Sequence, residues 1–122
     1  MDNQNLKFDF VFLGQSVLKY QVPLDIFTAI NQIYEQNYHN LNKANGQLVG
    51  KIENEHSLFY HGKDQSKMKN HNLLPRNVTD YLMSIFEHYL AFNKIRDYNT
   101  HLNSVWVNEM KQHEYNPAHI HR

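Results

Sequence analysis

The chain contains no cysteine among its 122 residues. That absence excludes a disulfide scaffold, a thiolate-ligated zinc or iron–sulfur site, and thiol catalysis. Net charge is missing as well: 12 basic residues balance 12 acidic ones. No global field therefore draws the chain onto nucleic acid or an anionic membrane, and neither is expected as a partner. No stretch of the sequence approaches the ~18 uninterrupted apolar residues of a membrane span. The opening Met1-Asp2-Asn3-Gln4-Asn5 has neither the basic region nor the apolar run of a secretory leader. The expectation is a soluble, cytoplasmic protein, or one of the host cytoplasm if viral.

What is present fits one globular domain. Apolar residues make up 41% of the chain and charged residues 20%, enough for a single core and too little length for two comfortable ones. Nine histidines turn the balanced chain positive once the pH falls below about 6.5. There is no internal repeat and no linker that would separate domains.

Phe8, Phe10 and Phe12 alternate with Lys7, Asp9 and Val11, the period of a half-buried strand. Leu18, Tyr20 and Val22 repeat the pattern after Gly14-Gln15, which predicts a β-hairpin over residues 7–22. Pro23 suits the first turn of a helix, and Ile26, Phe27, Ile30, Ile33 and Tyr34 carry an apolar stripe to about Tyr38. Short strands are expected at Gln47–Ile52 and Ser57–Tyr60. Between them and the next helix, His61 to Asn72 reads as a polar, lysine-bearing surface loop. Pro75 opens the longest helix, Arg76 to Asp97, with Val78, Leu82, Ile85, Tyr89 and Phe92 on its buried stripe and Tyr81 and Phe86 widening it. His88 borders that stripe and is expected to be partly buried and hydrogen-bonded.

Ser104-Val105-Trp106-Val107-Asn108-Glu109-Met110 has the β-branched and aromatic density of a strand. After a polar stretch from Lys111 to Asn116, Pro117 can begin another, Ala118-His119-Ile120-His121. Alternate strand residues lie about 6.5 Å apart and face one way. His119 and His121 would then project together, and two imidazoles so placed can hold one divalent metal. A third ligand is needed. Glu53, Glu55, His56 and His61 carry suitable donors, but their spacing matches no metal loop.

Residues 104–110, followed by Glu114-Tyr115-Asn116-Pro117-Ala118-His119-Ile120-His121, resemble the opening of the catalytic core in phage-type 2-oxoglutarate/Fe(II)-dependent oxygenases, a group similar to prolyl hydroxylases. There a Trp-x-Asn strand leads through a turn to an Asn-Pro-x-His-x-His motif. A looser likeness covers Asn45 to Ile52 and the helix before the Trp strand. The resemblance implies an α+β protein: an N-terminal β-hairpin and two amphipathic helices packed on the first strands of a truncated double-stranded β-helix, or jelly roll. Residues 1–100 would form the supporting region and 101–122 the start of the core. His119 matches the first histidine ligand of Fe(II). His121 falls where the superfamily usually has a carboxylate, a departure the phage-type group shares.

The implied chemistry uses 2-oxoglutarate as cosubstrate and dioxygen as oxidant to hydroxylate a substrate C–H bond, with a protein side chain among the possible substrates. Asn108 and Tyr115 are the candidates for polar contacts in the cosubstrate pocket. Asn108 shares a strand face with Trp106 and Met110, a face for which packing is the alternative role. A jelly roll has about eight strands, and the distal histidine and the basic anchor for 2-oxoglutarate have no counterparts here. The chain is thus expected to be the N-terminal portion of a longer enzyme, inactive alone and prone to self-association along an unfinished sheet edge. Two other readings stand beside it. One is a cupin-like protein that binds zinc or manganese through the same histidines without 2-oxoglutarate. The other is a non-enzymatic interaction domain in which both histidines face solvent.

Overall fold

Alternating aromatic and polar residues draw Phe8–Phe12 into strand β1 and Ser16–Tyr20 into strand β2 of the computed structural model, which describes residues 6–40, 54–61 and 72–118. The two pair antiparallel in the register Phe8↔Tyr20 through Phe12↔Ser16. Gly14 turns the chain between them at φ +83°, a left-handed conformation that glycine adopts without steric penalty. Asp9 lies directly opposite Lys19, so opposite charges face each other across the pair.

Helix α1 follows over Leu24–Asn37, with Asp25 in its first turn, where a carboxylate complements the helix dipole. A 3-10 turn, Tyr38–Asn40, continues it. Of the expected stripe, Ile26 is buried and Ile30, Ile33 and Tyr34 are half-buried. Phe27 departs from it at 54% exposure. Consecutive residues are rotated by about 100° around a helix, so burying Ile26 swings its neighbour toward the edge of the contact face.

Strand β3, Asn54–Tyr60, starts three residues before the predicted Ser57. It pairs antiparallel with β4, Ser104–Glu109, in the register Asn54↔Glu109, Glu55↔Asn108, His56↔Val107 and Ser57↔Trp106. The register then shifts to Phe59↔Val105, leaving Leu58 as the extra residue of a bulge. Leu58 is wholly buried, and its carbonyl accepts the Leu73 amide at 3.1 Å.

Helix α2 occupies Arg76–Phe92 and stops short of the predicted Asp97. Lys94 takes a left-handed φ of 58°, the Lys94 amide bonds to the Ala91 carbonyl and the Ile95 amide to the Leu90 carbonyl. That is the Schellman closure, and it ends the helix although Ile95 prolongs the apolar spacing.

The observed architecture is a small α+β protein with two helices and two small antiparallel sheets. The chain divides into two compact units, Met1–Gln32 with Pro75–Leu102, and Ile33–Leu74 with Asn103–Arg122. In the first, Ile26, Val78 and Ser84 are buried. The Ser84 hydroxyl is satisfied by donating to the Tyr81 carbonyl at 2.6 Å. In the second, Leu58, Leu74, His56 and Ser57 are buried. No helix among the described residues is long and apolar enough to cross a membrane. The expected strand at 47–52, nearly all of the loop at 61–72 and the histidine-bearing end of the strand at 118–121 lie outside the described residues.

Candidate functional site

Strand β4 carries the first half of the motif. Trp106 and Asn108 point to one side of the strand and both are exposed, Trp106 at 44%, and Met110, just beyond β4, is 58% exposed. An antiparallel pair can leave one side to water, and the half-buried Val105 and Val107 point the other way.

After β4 the chain turns on itself. The Lys111 amide donates to the Glu114 carboxylate at 2.8 Å, and the Glu114 amide returns to the Lys111 carbonyl at 3.0 Å. His113 supplies the left-handed residue of this turn at φ 69°. Tyr115 follows, 57% exposed, and Asn116, Pro117 and Ala118 bring the chain to the histidine pair. The two predicted cosubstrate contacts, Asn108 and Tyr115, are thus both accessible from solvent. The predicted metal ligands His119 and His121 lie outside the described residues, as do Glu53 and the looser match at 45–52.

The upstream donors do not complete a ligand set. Among the described residues no group of three or more histidine, aspartate or glutamate side chains can hold a metal ion. His56 is 3% exposed on β3, with its ring 5.9 Å from that of Tyr34. The described residues by themselves do not provide an iron site.

They provide two polar clusters that sequence reasoning did not join. On the side of the β3–β4 sheet away from Trp106, the Tyr34 hydroxyl donates to Glu109 Oε2 at 2.8 Å. Burial, this bond, the Glu109 charge and Tyr38 together push the Tyr34 hydroxyl up to about 12. Tyr34 is 75 residues from Glu109, and its place on an apolar helical stripe signals packing rather than a polar partner. Beside α2, the Tyr20 hydroxyl sits 2.6 Å from His88 Nδ1. Burial, with Tyr81 and Tyr89 nearby, raises the Tyr20 pKa. Phe8 closes over the imidazole edge-on at 4.5 Å. His88 is thus half-buried and hydrogen-bonded, as its position beside the stripe predicts.

A cavity of about 440 Å³ opens where Lys7 and Gln21 meet Leu24, Phe27 and Tyr81. None of the predicted site residues lines it. No protein-family model, curated protein or solved structure matches the chain.

Proposed function

We propose that this chain serves in a 2-oxoglutarate- and Fe(II)-dependent dioxygenase that hydroxylates a substrate C–H bond, with His119 and His121 as two of the metal ligands. In this reading β3 and β4 are the first strands of a double-stranded β-helix. One observation carries the proposal: Trp106-Val107-Asn108 followed at fixed distance by Asn116-Pro117-Ala118-His119-Ile120-His121. That pattern joins the strand, the turn and the ligand pair of the phage-type group.

Three features support it. Residues 104–109 form a strand paired along its length, a rigid base from which a short turn can deliver a following segment. The exposed positions of Asn108 and Tyr115 leave their amide and hydroxyl open to a small polar molecule. The absence of cysteine limits strong ligands to imidazole and carboxylate, the donors that non-haem iron accepts. Bound there, the metal would supply oxygen activation. The chain's own part is to hold two neutral imidazoles on one side of it and to offer polar contacts to 2-oxoglutarate.

The test is equilibrium dialysis of the 122-residue chain against Co(II), a redox-stable stand-in for Fe(II) that imidazole binds well. One equivalent should bind, and His119→Ala and His121→Ala should each abolish it while circular dichroism stays unchanged. Metal binding that survives both substitutions overturns the proposal. Absence of binding in the unsubstituted chain favours the non-enzymatic reading.

A further inference from the structure

We propose that the cavity beside the start of α1 binds a small carboxylic acid with an apolar body, of the class of a medium-chain fatty acid. The reading goes beyond the metal proposal and needs neither a metal nor Asn108 and Tyr115, which do not line the cavity. Lys7, Gln21, Val22, Leu24, Phe27 and Tyr81 are among its walls, and all belong to one of the two compact units. Its volume of about 440 Å³ lies within the roughly 300–1,000 Å³ of small-molecule sites. Leu24 and Phe27 stand three residues apart in the first turn of α1, so they share a helix face and form one apolar wall. They are 78% and 54% exposed. The outward place of Phe27, off the buried stripe of its helix, puts an aromatic ring on the rim of this cavity.

The occupant follows from the polar groups. Lys7 is the single cation of the lining, and no carboxylate lines the cavity with it. Among the described residues Lys7 has no ion-pair partner. One ammonium group is a point charge that balances one negative charge. A dianion such as a phosphate or 2-oxoglutarate would leave its second charge uncompensated against apolar walls. Tyr81 adds a hydroxyl. Burial raises its pKa, which keeps it a donor, and its bond to the Gln21 carbonyl is long at 3.5 Å. A carboxylate oxygen offers that hydroxyl a shorter, charge-assisted bond. Val22, Leu24 and Phe27 leave the rest of the space to hydrocarbon. At about 30 Å³ for a water-sized group, the cavity takes on the order of a dozen such groups, enough for an acid the size of octanoate.

Amide resonances of the full chain, followed during titration with octanoate below its micelle concentration and with a chelator present, test this. The shifts should saturate at a single site. Octylammonium, the same hydrocarbon with the opposite charge, should bind at least about tenfold more weakly. Lys7→Gln should weaken octanoate binding at least about tenfold, the loss of one charged hydrogen-bond partner. Phe27→Ala should weaken it as well, and because both positions are exposed, circular dichroism should stay unchanged. Lys19→Gln removes a cation of β2 that does not line the cavity and should leave the affinity as it was. So should His119→Ala, which separates this site from the metal proposal. Shifts that do not saturate, octylammonium that binds as tightly as octanoate, or octanoate binding indifferent to Lys7→Gln or to Phe27→Ala would each overturn the proposal. Loss of binding in Lys19→Gln or His119→Ala would overturn it too.

Discussion

Replacing Leu58 by alanine puts the physical account of the fold at risk. Leu58 is the bulge residue of β3, with 0% of its surface exposed. Leu24, the first residue of α1, is 78% exposed, so the same substitution there removes the same atoms from water rather than from the interior. Loss of a buried leucine side chain costs about 2–5 kcal/mol, the transfer energy plus the cavity left behind. At the exposed site the change stays within about 0.5 kcal/mol. With a urea slope of about 2 kcal/mol per molar, a cost of ~3 kcal/mol moves the unfolding midpoint by about 1.5 M. Urea titration followed by circular dichroism reads both variants. Leu58→Met, which conserves volume, keeps the comparison open if alanine prevents folding, and should cost less than about 1.5 kcal/mol. Equal midpoints for Leu58→Ala and Leu24→Ala would refute the burial argument.

Three further outcomes are expected. Gly14→Ala meets no atom within 4 Å but forces an alanine into φ +83°, and thermal melting should show a loss of about 1–2 kcal/mol. Lys94→Gly relieves the left-handed strain at the end of α2 and should stabilise the chain by about 0.5–1 kcal/mol in the same assay. Tyr34 holds its proton to about pH 12 in the folded chain, against an ordinary value of 10.0. The folded state binds more protons between those values, so stability present below pH 10 should fall as the pH climbs toward 12. Tyrosinate absorbance checks this, and Glu109→Gln should bring the Tyr34 titration down toward the ordinary range.

Local pattern carries a good part of this fold, and contacts distant in sequence carry the rest. The aromatic alternation at Phe8–Phe12 and the β-branched run at Ser104–Glu109 announce strands because every other residue answers to a single face. The end of α2 was not legible: Ile95 keeps the helical spacing, and no glycine marks Lys94 as the stopping residue. The bulge at Leu58 was hidden because Leu58 and Phe59 are adjacent apolar residues, and spacing alone does not mark which of them is the extra one. The opening of the Trp106 face depends on what the rest of the chain covers, which strand periodicity does not encode. The bond from Tyr34 to Glu109 needs a helix and a strand brought together across 75 residues. For the candidate site, spacing made the His-x-His pair conspicuous, whereas its third ligand has no local signature at all.

The most direct measurement is calorimetric titration of the chain with 2-oxoglutarate, with and without one equivalent of Co(II). Two ligands that meet on one metal must strengthen each other's binding by the same factor. The dioxygenase account predicts 2-oxoglutarate binding that requires the metal and disappears with His119→Ala. Cosubstrate that binds equally well without metal, or whose dependence on the metal survives His119→Ala, would contradict it.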